Sequence, residues 1–366
     1  MINLAAQFAI PTPICSIAPL GNGLINETFS LNAGGQRFVL QRINATVFPA
    51  PERIMANWRV LAAHLAENHD SRLRIPALIP THDGSDFVRD AAGNYWRMLE
   101  WIEDSVTLPQ LTTTAQARAV GALLGRFHRA TATLPLERLA VTLPGFHATP
   151  LYLQRLFAVA AQNNQTNQNA EIRASLEFVT ARRELAVVLD TAQRTGQIAL
   201  RVTHGDPKLD NILFQQNKQQ ALALIDLDTV QPGLLQHDLG DCLRSCCNRS
   251  GENAEAISPP FEKGGQGGIF DLTICADLLA GYAEETRALL TAADIALIYE
   301  AIRLLPFELG MRFLTDHLEG DRYFRVTHTG QNLHRAQRQF ALVADIERQQ
   351  PALQALIAER FTSCAS

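Results

Sequence analysis

The stretch His204-Gly205-Asp206-Pro207-Lys208-Leu209-Asp210-Asn211, followed by Ile225-Asp226-Leu227-Asp228, restricts this chain more than any other feature. Between the two, Ala221-Leu222-Ala223-Leu224-Ile225 reads as a buried strand that delivers Asp226 to its end. A tight loop and the strand beside it thus gather two carboxylates and an amide. Asp, Pro and Asn also populate ordinary turns, so the octet alone is ambiguous. The further aspartate at hairpin distance makes the turn reading much the weaker one.

These residue types suit phosphoryl transfer. That reaction needs a carboxylate to orient and deprotonate the attacking hydroxyl, and oxygen ligands for the Mg²⁺ that bridges the phosphates of ATP. Asp206 fits the first role; Asn211 and Asp226 fit the second. Asp228 would share the face of Asp226 if the segment stays extended, as a second metal ligand or a support. Lys208 places an ammonium where it could neutralise charge on the transferred phosphoryl group, although a solvated loop lysine is the plainer alternative. His204 reads as a packing residue beneath the loop, not as a base.

Around this centre the chain changes character once. Leu24 to Leu31 and Arg37 to Ile43 are strand-like and joined by the hairpin connection Asn32 to Gln36. Pro51 opens a helical stretch to about Glu67. A second hairpin runs from Asp86 to Arg89, turns at Gly93-Asn94, and returns from Tyr95 to Ile102. Beyond Thr112 the pattern becomes helical, over Thr113 to Thr133, Ala170 to Thr195, and from Asp271 onward. The expectation is an α+β, bilobal chain, with a β-rich nucleotide-binding lobe over 1–103 and a mostly helical catalytic and acceptor-binding lobe over 104–366. Residues 161–169 read as a polar loop and 250–268 as a flexible Pro/Gly-rich insertion.

Bulk properties narrow the partners. A net charge of −5 gives no basic face for nucleic acid. No apolar run reaches the ~20 residues of a membrane span, and Met1 to Ser16 lacks the basic start of a secretory signal. Cys242, Cys246 and Cys247 lack the partners of a zinc site, so buried reduced thiols are expected, in a reducing cytoplasm. A monomer or homodimer is expected.

With both halves in view, the chain resembles the aminoglycoside-phosphotransferase and choline-kinase-like superfamily, whose fold is protein-kinase-like. The octet resembles its H-G-D-x-x-x-x-N catalytic loop. Ile225 to Gly233, with His237-Asp238-Leu239-Gly240-Asp241, resembles its metal-binding segment and the helix start after it. Within the superfamily the likeness is greatest to the N-acetylhexosamine 1-kinase group. It is carried by Gly21 to Phe29, Val39 to Asn44, the Asp206-Pro207-Lys208 form of the loop, and Glu308 to Asp316, spanning roughly residues 20 to 345.

The resemblance implies further roles. Gly21, Asn22, Gly23 and Asn26 would cover the ATP phosphates, with glycines letting the backbone approach. Kinases place a lysine on the next strand, yet no lysine precedes Lys208. Arg42 resembles the arginine of choline kinases there, while Gln41 is the other candidate for the same register. Glu52 could pair with Arg42 or sit on the helix surface. Glu100 and Ile102 lie where the lobes join and backbone groups would meet adenine. Asp238 and Asp241 would hold the catalytic loop and cap the next helix, and His128 would pack.

The acceptor must be read from the helical lobe. Acids and arginines are equally frequent between Glu300 and Gln350, without the acidic surplus or aromatic cage expected for a polycation or choline. A neutral polyol fits better. Arg312 and Asp316, one helical turn apart, would face the acceptor together, unless they form a surface ion pair; Arg244 and Tyr323 are lesser candidates. The expected activity is transfer of the ATP γ-phosphoryl group to a sugar hydroxyl, at the anomeric oxygen of an N-acetylhexosamine. The alternatives are another small alcohol (choline, ethanolamine, homoserine) or a catalytically silent nucleotide-binding module. No Ala-Pro-Glu signature supports a protein kinase.

Overall fold

The computed structural model describes residues 1–21, 25–68, 70, 72–163, 168–249, 251 and 269–362. A short helix, α1 (Ile2–Ala5), precedes β1 (Ile14–Pro19), β2 (Glu27–Ala33) and β3 (Gln36–Ile43). Gly34 and Gly35 turn β2 into β3 with φ of 56° and 78°, the left-handed pair that a two-residue hairpin needs. After α2 (Pro51–Asn68) come β4 (Leu78–Ile79), β5 (Val88–Arg89) and β6 (Tyr95–Glu100). The sheet runs β1-β2-β3-β6-β4, with β5 also on β6, and every pairing is antiparallel.

Alternation along this sheet decides which side chains reach the cleft. Phe38, Leu40, Trp96 and Met98 face one way and pack on Ala5 and Phe8. Val39 and Leu99 face the other way and join the core of the large lobe. Gln41 and Arg97, opposite each other in β3 and β6, therefore face the large lobe, and Arg42 does not.

The large lobe begins with β7 (Ser105–Val106), then α3 (Thr114–Thr131), α4 (Thr149–Gln162), α5 (Ala170–Ala181) and α6 (Val188–Arg194). β8 (Arg201–Thr203), β9 (Ile212–Gln215), β10 (Ala221–Leu224) and β11 (Gln231–Gly233) form two small antiparallel sheets, β7-β9-β10 and β8-β11. α7 (Leu235–Cys246), α8 (Leu272–Thr286), α9 (Ala292–Ala296), α10 (Ile298–Leu318), α11 (Gln331–Arg348) and α12 (Gln350–Thr362) complete the lobe. The small antiparallel sheet above a mostly helical lobe is the bilobal α+β arrangement expected.

Two details depart from the periodicity. The helix expected over Ala170 to Thr195 is interrupted by a 3₁₀ turn at Arg183–Val187. At the break the Arg182 guanidinium lies 3.7 Å from the Phe178 ring centre and pairs with Glu347 on α11, so tertiary contacts override local propensity. The polar stretch 161–169 is in part helical: α4 runs to Gln162, and Asn169 caps α5 by accepting from the amides of Glu171 and Ile172. The insertion at 250–268 lies, apart from Gly251, outside the described residues. Among the described residues no cysteine is disulfide-bonded, Cys242, Cys246, Cys247 and Cys275 are buried, and no helix is long and apolar enough to cross a membrane.

Candidate active site

The loop after β8 is built on a glycine and an aspartate. Gly205 has a φ of 88°, and a Cβ on it would stand 2.8 Å from Thr229, so no other residue fits without displacing that neighbour. Asp238, at the start of α7, accepts from the amides of His204 (2.7 Å) and Gly205 (2.8 Å) and meets His128 Nε2 at 2.8 Å. His204 is committed on both sides. Its Nδ1 accepts from the Asp206 amide (3.3 Å) and its Nε2 donates to the Ile225 carbonyl (3.0 Å), which defines a neutral ring with its proton on Nε2. Burial lowers its pKa in the same sense. The Ile225 amide donates to the Asn211 carbonyl at 3.0 Å, so loop and metal segment are joined at both ends.

Asp206, Lys208 and Asn211 meet as the spacing suggests. Lys208 Nζ lies 2.6 Å from Asp206 Oδ2, and Asn211 Nδ2 donates to the Asp206 carbonyl (2.8 Å) and to its Oδ2 (3.1 Å). Burial would raise the Asp206 carboxyl, but the Lys208 ammonium outweighs it and holds it below the usual range. Asp226 is different. Burial first, then the neighbouring Asp228 and, after the opposing Lys208, Asp206 push its carboxyl up to about 7. A carboxylate set among acids in this way would gain from a further cation, and with the Asn211 amide oxygen it fits Mg²⁺, which is bound by one or two protein oxygens plus substrate phosphates. No group of three or more His, Cys, Asp or Glu that could by itself hold a metal ion occurs among the described residues.

Asp228 does not share the face of Asp226. The segment is not extended: Asp226 takes φ 63°, and Leu227–Thr229 forms a 3₁₀ turn. Asp228 consequently points at the small lobe, where its Oδ2 accepts from Asn26 Nδ2 (2.7 Å) and its Oδ1 lies 2.5 Å from Arg97 Nη2. Asn26 in turn accepts from the Asn44 amide at 3.0 Å. Asp228 and Asn26 thus join the lobes to each other instead of facing a metal and a phosphate.

The small-lobe cation is also displaced from its expected position. Arg42 lies on the wrong face of β3 and pairs with Glu27 at the surface, while Glu52 is exposed on α2. Gln41 takes the inward place, and its Oε1 accepts from Arg97 Nη2 (2.7 Å) and Nε (3.0 Å). Arg97 is fully buried, with Cζ 4.9 Å from the Trp58 ring centre and, among the described residues, no hydrogen-bond partner for Nη1. Sequence reasoning missed it; the available signal was a charged residue inside the apolar strand Tyr95-Trp96-Arg97-Met98-Leu99. Gly21 adopts φ 70° with open space about it, and Asn22 and Gly23 lie outside the described residues. At the lobe junction the Glu100 side chain is held by Arg74 (2.9 Å) and the Ala77 amide (3.1 Å), and the Ile102 carbonyl accepts from Ser105 (2.6 Å).

In the large lobe Arg312 and Tyr323 come together, and Asp316 is elsewhere. The Arg312 guanidinium sits amid the rings of Tyr152 (5.2 Å), Phe146 (5.4 Å), Phe324 (5.5 Å) and Tyr323 (5.8 Å). Burial opposes its charge, but Tyr152, Tyr323, Glu308 and Asp206 keep it protonated. The joint role expected for Arg312 and Asp316 fails, because Asp316 is buried and accepts from the amides of Arg322, Tyr323 and Phe324 at 2.8–2.9 Å. Its carboxylate is consumed in holding the turn after α10. Arg244 is buried as well, paired with Asp241 at 2.8 Å. Phe146 and Tyr152 carried no sequence signal, since they come from a loop and helix far from Arg312 along the chain.

The comparisons agree with this architecture. A model of the phosphotransferase enzyme family (APH) matches residues 16–258. Among solved structures, an aminoglycoside phosphotransferase from Alicyclobacillus acidocaldarius is 15% identical, with a TM-score of 0.66 over 100% of this chain and 97% of that one. A microcompartment-associated aminopropanol kinase is 16% identical, with a TM-score of 0.64 over 96% and 97%. Choline kinase from Cryptosporidium parvum Iowa II is 12% identical, with a TM-score of 0.55 over 94% and 93%. These likenesses establish the fold, and the family match covers most of the chain: it belongs to the phosphotransferase enzyme family.

Proposed function

We propose that this chain transfers the γ-phosphoryl group of ATP to a hydroxyl of a neutral sugar, with the anomeric oxygen of an N-acetylhexosamine as the favoured acceptor. The observation that carries the choice of acceptor is Arg312. An aromatic cage could hold a quaternary or primary ammonium, but here a guanidinium already fills it. A cationic acceptor such as choline or ethanolamine would meet like charge, whereas a sugar offers oxygens to a guanidinium donor.

In this reading Asp206 accepts the proton of the attacking hydroxyl, and its depressed pKa keeps it ionised for that role. Lys208, 2.6 Å away, faces the charge that develops on the transferred group. Asn211 and Asp226 would hold Mg²⁺, which when bound bridges the phosphate oxygens and offsets their charge. Arg97 lies on the inward face of the small sheet, but its charge is taken up by Asp228, so it is the presence of Asp206, Asn211 and Asp226 together that favours an active enzyme over a catalytically silent module.

The test is ATP consumption with N-acetylglucosamine, N-acetylgalactosamine, choline and ethanolamine in parallel. Turnover is expected with a sugar, and Asp206→Asn should lower it by ~10²–10⁴-fold with ATP still bound. Turnover with choline alone would sink the acceptor assignment, and a near-wild-type Asp206→Asn would sink the role of Asp206.

A further inference from the structure

His147 precedes α4 and follows Phe146 of the Arg312 cage, and nothing described so far uses it. Its ring is held at both edges. Nδ1 lies 2.9 Å from Glu308 Oε1, and Nε2 lies 2.9 Å from the Gly205 carbonyl oxygen. A backbone carbonyl can only accept. Glu308 accepts from the Thr149 hydroxyl through its other oxygen at 2.5 Å, and against its burial the neighbouring His147 and Arg312 keep it a carboxylate, so Oε1 accepts as well. One imidazole that donates to two acceptors needs a proton on each nitrogen. We infer that His147 is an imidazolium and a positioning residue, tying the catalytic loop at Gly205 to the acceptor-facing helix α10 at Glu308.

The surroundings suit that charge. Glu308 is 1% exposed, and although burial opposes its ionisation, His147 holds its carboxyl at about 2. His237 from α7 stacks on His147 with ring centres 4.7 Å apart. Burial, and then the His147 charge, push His237 down to about 3, so it is the neutral member of the stack. Burial opposes the His147 charge too, but Glu308, the Gly205 carbonyl and Asp241 of α7 outweigh it and raise its pKa above 6.5. Asp238 of α7, Tyr152 of α4 and Arg312 of α10 are the other titratable and charged groups around the pair. His147 also keeps a φ of 57°, a conformation that a non-glycine residue holds only where its surroundings impose it.

The catalytic consequence rests on the reading of Asp206 given above; the protonation state does not. Loss of the second proton removes one of the two bonds, so the loop and α10 come apart as pH rises through the elevated pKa. The direct probe is ring ¹⁵N NMR of the histidine-labelled full chain. The His147 signal is assigned by its loss in His147→Gln, or by contacts to the Phe146 ring if that variant does not fold. The ring should titrate above the ~6.5 of an ordinary imidazole, with both nitrogens protonated below its midpoint; a midpoint at or below ~6.5 overturns the inference. Glu308→Gln should move the alkaline limb of kcat down by about one pH unit or more without changing the KM for ATP. An unmoved limb overturns the positioning role. The ring measurement needs no substrate, so it decides even if no sugar is turned over.

Discussion

Arg97 and Asp228 are desolvated together: the side chains are 0% and 3% exposed, and their closest atoms are 2.5 Å apart. Replacing one member of such a pair strands the other charge, at a cost of about 3–5 kcal/mol. Arg97→Met should therefore lower unfolding free energy by that amount in urea titrations, and adding Asp228→Asn should recover a large part of it. A double variant no better than the single one would show that packing on Trp58, not charge, is what Arg97 supplies. This pair also marks a limit on what the chain reveals before folding. Asp206, Lys208, Asn211 and Asp226 are legible because one loop and one hairpin bring them together locally. Arg97 meets Asp228 only through the docking of two lobes, and no spacing announces that contact. The choice between Gln41 and Arg42 turns on which face of β3 looks inward, and a strand of mixed polarity leaves that open.

At the scale of elements, the support of the catalytic loop depends on how closely α3 and α8 approach. A Cβ on Gly121 would stand 1.9 Å from the Leu278 carbonyl oxygen, and one on Gly281 would stand 2.1 Å from that of Arg118. This near-contact of backbones brings His128 of α3 to the Tyr282 hydroxyl of α8 (2.8 Å) and to Asp238 (2.8 Å), and Asp238 holds the loop amides. Gly121→Ala should force the helices apart, costing at least the ~1–3 kcal/mol of overpacking, and should lower kcat through the His128–Asp238 contact. Thermal unfolding and turnover, measured together, check both effects; an unchanged melting temperature would refute the close-packing argument. α3 itself was legible from its helical pattern over Thr113 to Thr133, and the structure adds a capping box of Thr113 and Gln116 at its start. The break after α5 was not, since Arg182 stops the helix through Glu347 on a distant element.

For the whole molecule, pH dependence is a sum of buried groups that pull in opposite directions. His237 is held neutral, with a folded pKa of about 3 against 6.5 for the free group. Between those values the unfolded chain binds a proton that the folded chain refuses, so stability falls as pH drops below 6.5. Asp226 acts the other way: its carboxyl is raised to about 7 from 3.8, so the folded chain holds a proton that the unfolded chain releases, and stability falls as pH rises across that window. The wild-type profile therefore conceals both contributions, and a difference between variants isolates one. From pH 7 to 5 the wild type should lose about 2 kcal/mol more than His237→Gln, the integral of one proton over that interval. Urea unfolding of both proteins at the two pH values measures this directly. Equal losses would mean that His237 takes up its proton in the folded chain, and the stacked pair with His147 would then have to be redrawn.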